Sequence, residues 1–219
     1  MASMKISQIV ACVLVVLSFL TAILVYPAMP DKVASHWDIA GNANGFMNKE
    51  MGTFFAPVLA LFMLGLFWVI PTLDPLKKNY AAFRKEYDTL VALIIGFLYY
   101  VYLLSLAYNL GLRIDMVQFL SPAFAVLIFY LGVIVSKAKQ NWFVGIRTPW
   151  TLSSKTVWDK THLICAKLLK TAGIIALLGI FVPGFGLMAS VGVLIASAVF
   201  AFVYSYLEFK KEKEGKKKR

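Results

Sequence analysis

Apolar residues in this chain come in long unbroken runs, without the strict alternation of a half-buried strand or the narrow stripe of a surface helix. Six such windows fall at 6–26, 53–70, 89–110, 116–136, 165–182 and 186–207. Each is close to the length of about 20 residues that crosses a hydrocarbon layer roughly 30 Å thick as a helix. A bilayer offers no water to backbone amides, and the ten-residue alternation of an outer-membrane barrel is missing. Every window is therefore predicted as a transmembrane helix. The fold class that follows is all-α, a polytopic integral membrane protein built as a six-transmembrane-helix bundle. The first window is long, and Tyr26-Pro27 makes a poor small-residue cleavage site, so it reads as a helix and not as a signal peptide.

The polar segments between the windows set the orientation. If the N-terminus is cytoplasmic, eighteen Lys and Arg lie on the inner side, against Lys32, Lys49 and Arg113 outside. Both termini are then cytoplasmic, in a multi-pass protein of the cell membrane. Composition agrees: 60% hydrophobic and 15% charged residues exclude an ordinary water-soluble domain, which carries about a quarter charged residues. The formal net charge of +11 is mostly this topology signal. The basic tail at 210–219 is suited to anionic lipid headgroups. Without aromatics among its lysines, it does not point to direct nucleic-acid binding.

Two halves emerge. Residues 1–110 form an N-terminal three-helix membrane region with a structured outer loop at 27–52 and an interfacial amphipathic helix at 75–87. Residues 111–209 form a second three-helix region with a cytoplasmic motif loop at 137–164. In the outer loop, turn formers at Gly41-Asn42 and Asn44-Gly45 predict a compact fold. Its aromatics suit the headgroup level, and His36, Trp37, Asp38, Asn44 and Lys49 are candidates for an external recognition surface. His36 with Asp31 and Asp38 lacks the second His or Cys of a usual metal set, so no metal or cofactor is expected. Within 75–87, Leu76, Tyr80, Phe83 and Tyr87 recur at helical spacing. That fits either a helix lying on the inner surface or an entrance ramp into the third transmembrane helix. The third window carries Tyr99, Tyr100, Tyr102 and Tyr108, whose hydroxyls need partners inside the bundle. Gly173, Ala176 and Gly179, then Ala189, Gly192 and Ala196, suggest close packing of the last two helices around a short outer hairpin at 181–186.

The densest chemistry lies at 141–162, NWFVGIRTPWTLSSKTVWDKTH. Gly145 to Trp150 reads as a tight extended turn, because a residue before proline avoids helical geometry. Ser153 or Ser154 then caps a helix on which Trp158, Thr161, His162 and Cys165 share one face, looking back at Arg147. Asn141, Trp142, Arg147, Thr148, Trp150, Trp158, Thr161 and His162 are the inner candidates. Two readings stand side by side: a binding site, or a set of side chains fastening the loop to headgroups. An enzyme is not indicated. The two histidines fall on opposite sides of the membrane, and neither an HExxH nor a GxSxG sequence is present. The central part of every window is free of Asp, Glu, Lys, Arg and His, which counts against ion-coupled transport. A small-solute or lipid-handling transporter or channel nonetheless remains the alternative. Each half has its motif-bearing loop after its first helix, as inverted repeats do.

These residues also carry a resemblance. Met29-Pro30, His36-Trp37, Gly41, Gly45, Lys49 and Pro57 resemble the small domain of unknown function that commonly precedes the SdpI domain. The run from Asp74 to Tyr80, with Phe83 and Tyr87, is similar to the segment that follows it. The run from Asn141 to Ser154, with Val157-Trp158 and Lys160-Thr161-His162, resembles the signature of the SdpI family itself. The family takes its name from an immunity protein that protects a cell against its own secreted peptide toxin and holds a transcriptional repressor at the membrane. The resemblance therefore implies a toxin-immunity or sensing protein. A secreted peptide would meet the outer face and a repressor the inner face. Leu163 and Ala166 depart from the Arg and Gly usual at those positions, which bears on the repressor contact.

Overall fold

The computed structural model describes residues 5–182 and 185–217. Helix α1 (Ile6–Val25) leads through a short 3-10 turn into a hairpin of β1 (Lys32–Trp37) and β2 (Ala43–Asn48), then α2 (Lys49–Leu73). A 3-10 stretch, Lys77–Phe83, runs into α3 (Arg84–Asn109), followed by α4 (Met116–Lys137). The inner motif holds a one-turn helix, α5 (Pro149–Ser153), before α6 (Lys155–Ala176), a 3-10 turn and α7 (Phe185–Lys217). Among the described residues six helices are long and apolar enough to cross a membrane, and the protein is a six-span, all-α membrane protein. The outer hairpin expected at 181–186 includes Pro183 and Gly184, which lie outside the described residues.

Ala11, Leu64, Phe83, Ile95, Ile134 and Trp158 come from six different helical segments and meet in one buried cluster. A second cluster joins Ala22 of α1, Val33 of β1 and Tyr102 and Leu106 of α3, fixing the hairpin on the outer end of the bundle. The hairpin is the part of the fold that helical periodicity did not announce. Its strands pair from Lys32 opposite Asn48 to Trp37 opposite Ala43. It docks through Asn109, whose Oδ1 accepts from the Ala34 amide at 2.7 Å and whose Nδ2 donates to the Ala34 carbonyl at 3.0 Å. A single side-chain amide thus completes the free edge of β1.

Helix α2 contains Pro57 and Pro71, and each removes an amide that would have bonded the carbonyl four residues earlier. Helix α3 repairs both losses. Tyr102 donates to the freed Thr53 carbonyl at 2.8 Å, and Tyr87 donates to the freed Phe67 carbonyl at 2.6 Å. Tyr100 likewise donates to the Phe119 carbonyl at 2.9 Å, beside Pro122 of α4, and Tyr99 pairs with Thr21 at 2.9 Å. Three of the four tyrosines expected to need partners, Tyr99, Tyr100 and Tyr102, have them, two on backbone, while Tyr108 makes a ring contact with Trp37.

One sequence alternative is decided and one expectation is corrected. The segment at 75–87 is a 3-10 entrance ramp leading into α3, and Tyr80, Phe83 and Tyr87 are buried in the protein. Their apolar face packs inward instead of lying on lipid, with Tyr80 bonding Asn141 of the inner loop and Tyr87 the Phe67 carbonyl of α2. On the last pair of helices, Gly173, Ala176 and Gly179 are buried as expected, but Gly192 and Ala196 are exposed. Helix α7 instead turns Ser190, Ser197, Ala201 and Ser205 inward. Serines suit that face because they are small and bond back to their own helix, as Ser205 does to the Phe202 carbonyl at 2.9 Å.

Tyr102→Phe should lower stability by about 1–3 kcal/mol, since it strands a buried carbonyl. In a Pro57→Ala background the loss should shrink, because the restored amide serves Thr53. Denaturation of the four proteins in detergent checks this, and equal losses in both backgrounds would refute the carbonyl-repair account.

Candidate functional site

The inner face is closed by a cap built from 138–154, and one side chain folds its first turn. Asn141 is fully buried. Its Nδ2 donates to the Lys139 and Val144 carbonyls, both at 2.8 Å, and its Oδ1 accepts from the Phe143 and Val144 amides at 2.9 and 2.6 Å. The Tyr80 hydroxyl points at the same oxygen from 3.4 Å. The α2–α3 connection grips this turn. Buried Asp74 accepts from the Leu76 amide at 2.7 Å and from the Trp142 amide at 2.9 Å, while Asn79 donates to the Gln140 carbonyl at 2.6 Å. Gln140 then spans to α5, donating to the Thr151 and Leu152 carbonyls at 2.9 and 2.6 Å.

The second turn rests on α6. Gly145 takes φ +112°, and a Cβ there would lie 2.4 Å from His162 Nε2. Glycine is required on both counts. His162 Nε2 accepts from the Ile146 amide at 3.0 Å, and Nδ1 faces the Trp158 carbonyl at 2.8 Å. Those partners assign the neutral tautomer with the proton on Nδ1. The imidazole stacks on Trp158, with ring centroids 3.9 Å apart, and Trp158 Nε1 donates to the Ala138 carbonyl at 2.9 Å. Trp158 has no exposed surface, so it is a packing residue and does not reach headgroups. His162 has both nitrogens engaged and no free one to act as a base. Thr161 is buried on the same face, and its hydroxyl has no hydrogen-bond partner among the described residues.

Thr148 and Thr151 form a capping box for α5, with Thr151 Oγ1 also donating to the Ile146 carbonyl at 2.7 Å. Ser154 caps α6. The cytoplasmic extension of α7 braces the whole cap. Thr148 donates to Ser205 at 3.0 Å, Trp150 packs edge-on against Phe202 with Tyr206 beside it, and Lys160 pairs with Glu208 at 2.7 Å.

What this frame leaves free is Arg147, Trp142 and Phe143. All three are exposed, and among the described residues the guanidinium donates only to the Trp142 carbonyl, at 2.8 Å. The inner candidates therefore divide. Asn141, Thr148, Trp158, Thr161 and His162 build the cap, Trp150 pins it to α7, and Trp142 and Arg147 are presented by it. Asp74, Asn79, Gln140, Thr151 and Ser205 were missed as members of this network. Asp74-Pro75-Leu76 carries an Asx-turn signal, whereas nothing local marks Ser205, 57 residues from its partner. Leu163 projects from α6 with 59% of its surface exposed, and Ala166 is buried against Gly132 of α4.

The outer candidates also divide. His36 faces Asn44 across the hairpin, and Asp38 closes its turn by accepting from the Ala40 and Asn42 amides, each at 2.9 Å. Trp37 stands edge-on to Tyr108 with centroids 5.3 Å apart. Lys49 sits at the opposite end, its ammonium 4.9 Å above the Tyr26 ring. His36 and Asn44 are exposed, while Asp38 is committed to the turn.

Asn141→Ala and Gly145→Ala should each lower the melting temperature in detergent, by the equivalent of about 2 kcal/mol or more. Arg147→Ala should change stability by less than about 0.5 kcal/mol, because the side chain is exposed. An Asn141→Ala protein that melts with the wild type would show that another contact holds the loop.

Residues 137–206 match the SdpI/YfhL protein family, and residues 13–61 match a domain of unknown function, DUF1648. The chain is 28% identical over 206 residues to the Immunity protein SdpI of Bacillus subtilis (strain 168), covering 93% of this chain and 96% of that protein. No solved structure matches the chain. The first match spans the cap, α6 and most of α7, and the second spans the latter part of α1, the outer hairpin and the first half of α2. The chain is a multi-pass membrane protein in which a stretch matching DUF1648 precedes one matching the SdpI/YfhL family, and it is similar along nearly its whole length to an SdpI protein.

Proposed function

We propose that the protein confers immunity of the SdpI type. On this reading the outer hairpin meets a secreted antimicrobial peptide, and the inner cap docks a transcriptional repressor to relay that event. The observation that carries it is the likeness to an immunity protein along nearly the whole of both chains. A match confined to the helices would carry much less, since apolar helices resemble one another by composition alone.

The division of each loop into frame and presented side chains supports the finer reading. His36 and Asn44 face outward on a hairpin fixed to α1 and α3, so a peptide would meet a surface already formed. Arg147, Trp142 and Phe143 are a cation and two aromatics on a rigid cap, the residue types that dominate protein interfaces. The position where the family usually carries Arg is Leu163, which is exposed and uncharged. A repressor contact would then fall on Arg147 and its aromatic neighbours.

The test is a toxin challenge. Cells sensitive to a secreted peptide toxin, ideally one encoded beside this gene, should hold their membrane potential on exposure when they express the wild type. His36→Ala should weaken that protection. Arg147→Ala should abolish signalling while leaving the protein inserted, which immunoblotting of membranes confirms. Collapse of the potential with the wild type in the membrane would contradict immunity. Normal signalling by Arg147→Ala would reduce the inner patch to a membrane anchor.

A further inference from the structure

A groove of about 660 Å³ opens between α1, α3 and α4, well away from both loops. Val10 and Leu14 of α1, Thr89, Gly96 and Tyr100 of α3, and Val126 of α4 form its walls. Its polar side chains are turned elsewhere. Ser7 and Thr89 pair with each other at 3.3 Å at the inner end, and Tyr100 donates to the Phe119 carbonyl at the other end. The lining left over is hydrocarbon, unsuited to a polar solute.

Length and charge identify the occupant. From Thr89 to Tyr100 the groove follows α3 for about 16 Å at the helical rise, and half of a hydrocarbon layer roughly 30 Å thick is about 15 Å. One leaflet's acyl chain therefore matches it. The inner mouth carries two exposed lysines. Lys85 lies one turn before Thr89 on the same face of α3, and Lys5 is the N-cap of α1, beside the groove residue Ile6. Gly96 is what keeps the channel open, since a Cβ there would meet only Leu14, at 3.6 Å.

We propose that this groove holds one acyl chain of an anionic phospholipid from the inner leaflet, with the headgroup phosphate between Lys5 and Lys85. The site is independent of the immunity reading, because it shares no residue with the outer hairpin or the inner cap.

The experiment uses the full chain in nanodiscs of phosphatidylglycerol or phosphatidylcholine, released into detergent for native mass spectrometry. The wild type should retain one phosphatidylglycerol, and phosphatidylcholine much less. The double variant Lys5→Gln, Lys85→Gln should retain phosphatidylglycerol about tenfold more weakly. Gly96→Leu, which fills the groove, should lose it altogether. Val126→Trp fills the groove from α4 and serves as a second blocking variant should Gly96→Leu fail to fold. Equal retention of phosphatidylglycerol by a folded blocking variant overturns the proposal. So does equal retention of the two lipids by the wild type. Efficient cross-linking of Val126→Cys between two copies in the nanodisc would assign the groove to a second chain and likewise overturn it.

Discussion

A backbone amide or carbonyl left unpaired inside a membrane costs several kcal/mol, and most interior polar side chains of this protein serve to prevent that. Tyr102 and Tyr87 restore the bonds that Pro57 and Pro71 remove from α2. Asn109 completes the edge of the outer hairpin, Asn141 folds the first turn of the inner cap, and His162 and Trp158 hold backbone groups of the second turn and the end of α4. The prolines let α2 depart from a regular helix only because α3 supplies hydroxyls at the matching heights. The inner loop can lie against the bundle only because its amides are satisfied by side chains beneath it.

This changes how the motif should be understood. A histidine, an asparagine and a buried tryptophan within one loop look like chemistry when met in a sequence. In the structure they are a frame. Each is saturated by backbone partners, and His162 has neither a free nitrogen nor an acidic neighbour in hydrogen-bonding contact. What the frame presents to the cytoplasm is Arg147 with Trp142 and Phe143, a surface suited to recognition and not to bond making. The departures at Leu163 and Ala166 leave the frame intact, because one is exposed and the other packs against Gly132.

Much of the fold was legible in the sequence, for a physical reason: a span must be long, apolar and helical, so six runs of that kind announce six helices. The face shared by Trp158, Thr161, His162 and Cys165 was equally plain from their spacing, and all four are buried. The outer strands were not, because burial along β1 does not alternate and the hairpin is held by Asn109, about 75 residues away. The role of 74–80 stayed open between two readings for the same reason. A segment whose apolar residues recur at helical spacing suits a membrane surface as well as a protein interior. Only the partner across 61 residues, Asn141, decides between them.

The measurement that bears most directly on this account is amide hydrogen exchange of the protein in a lipid bilayer, resolved across 138–154. A frame saturated by Asn141, Thr148 and His162 predicts that the Val144, Ile146 and Thr151 amides exchange slowly, as those of α6 do, while the amide of exposed Ile39 in the outer turn exchanges quickly. Rapid exchange at Val144 and Ile146, matching that outer turn, would mean that the loop is open in the membrane. The division into buried frame and presented Arg147 would then be contradicted.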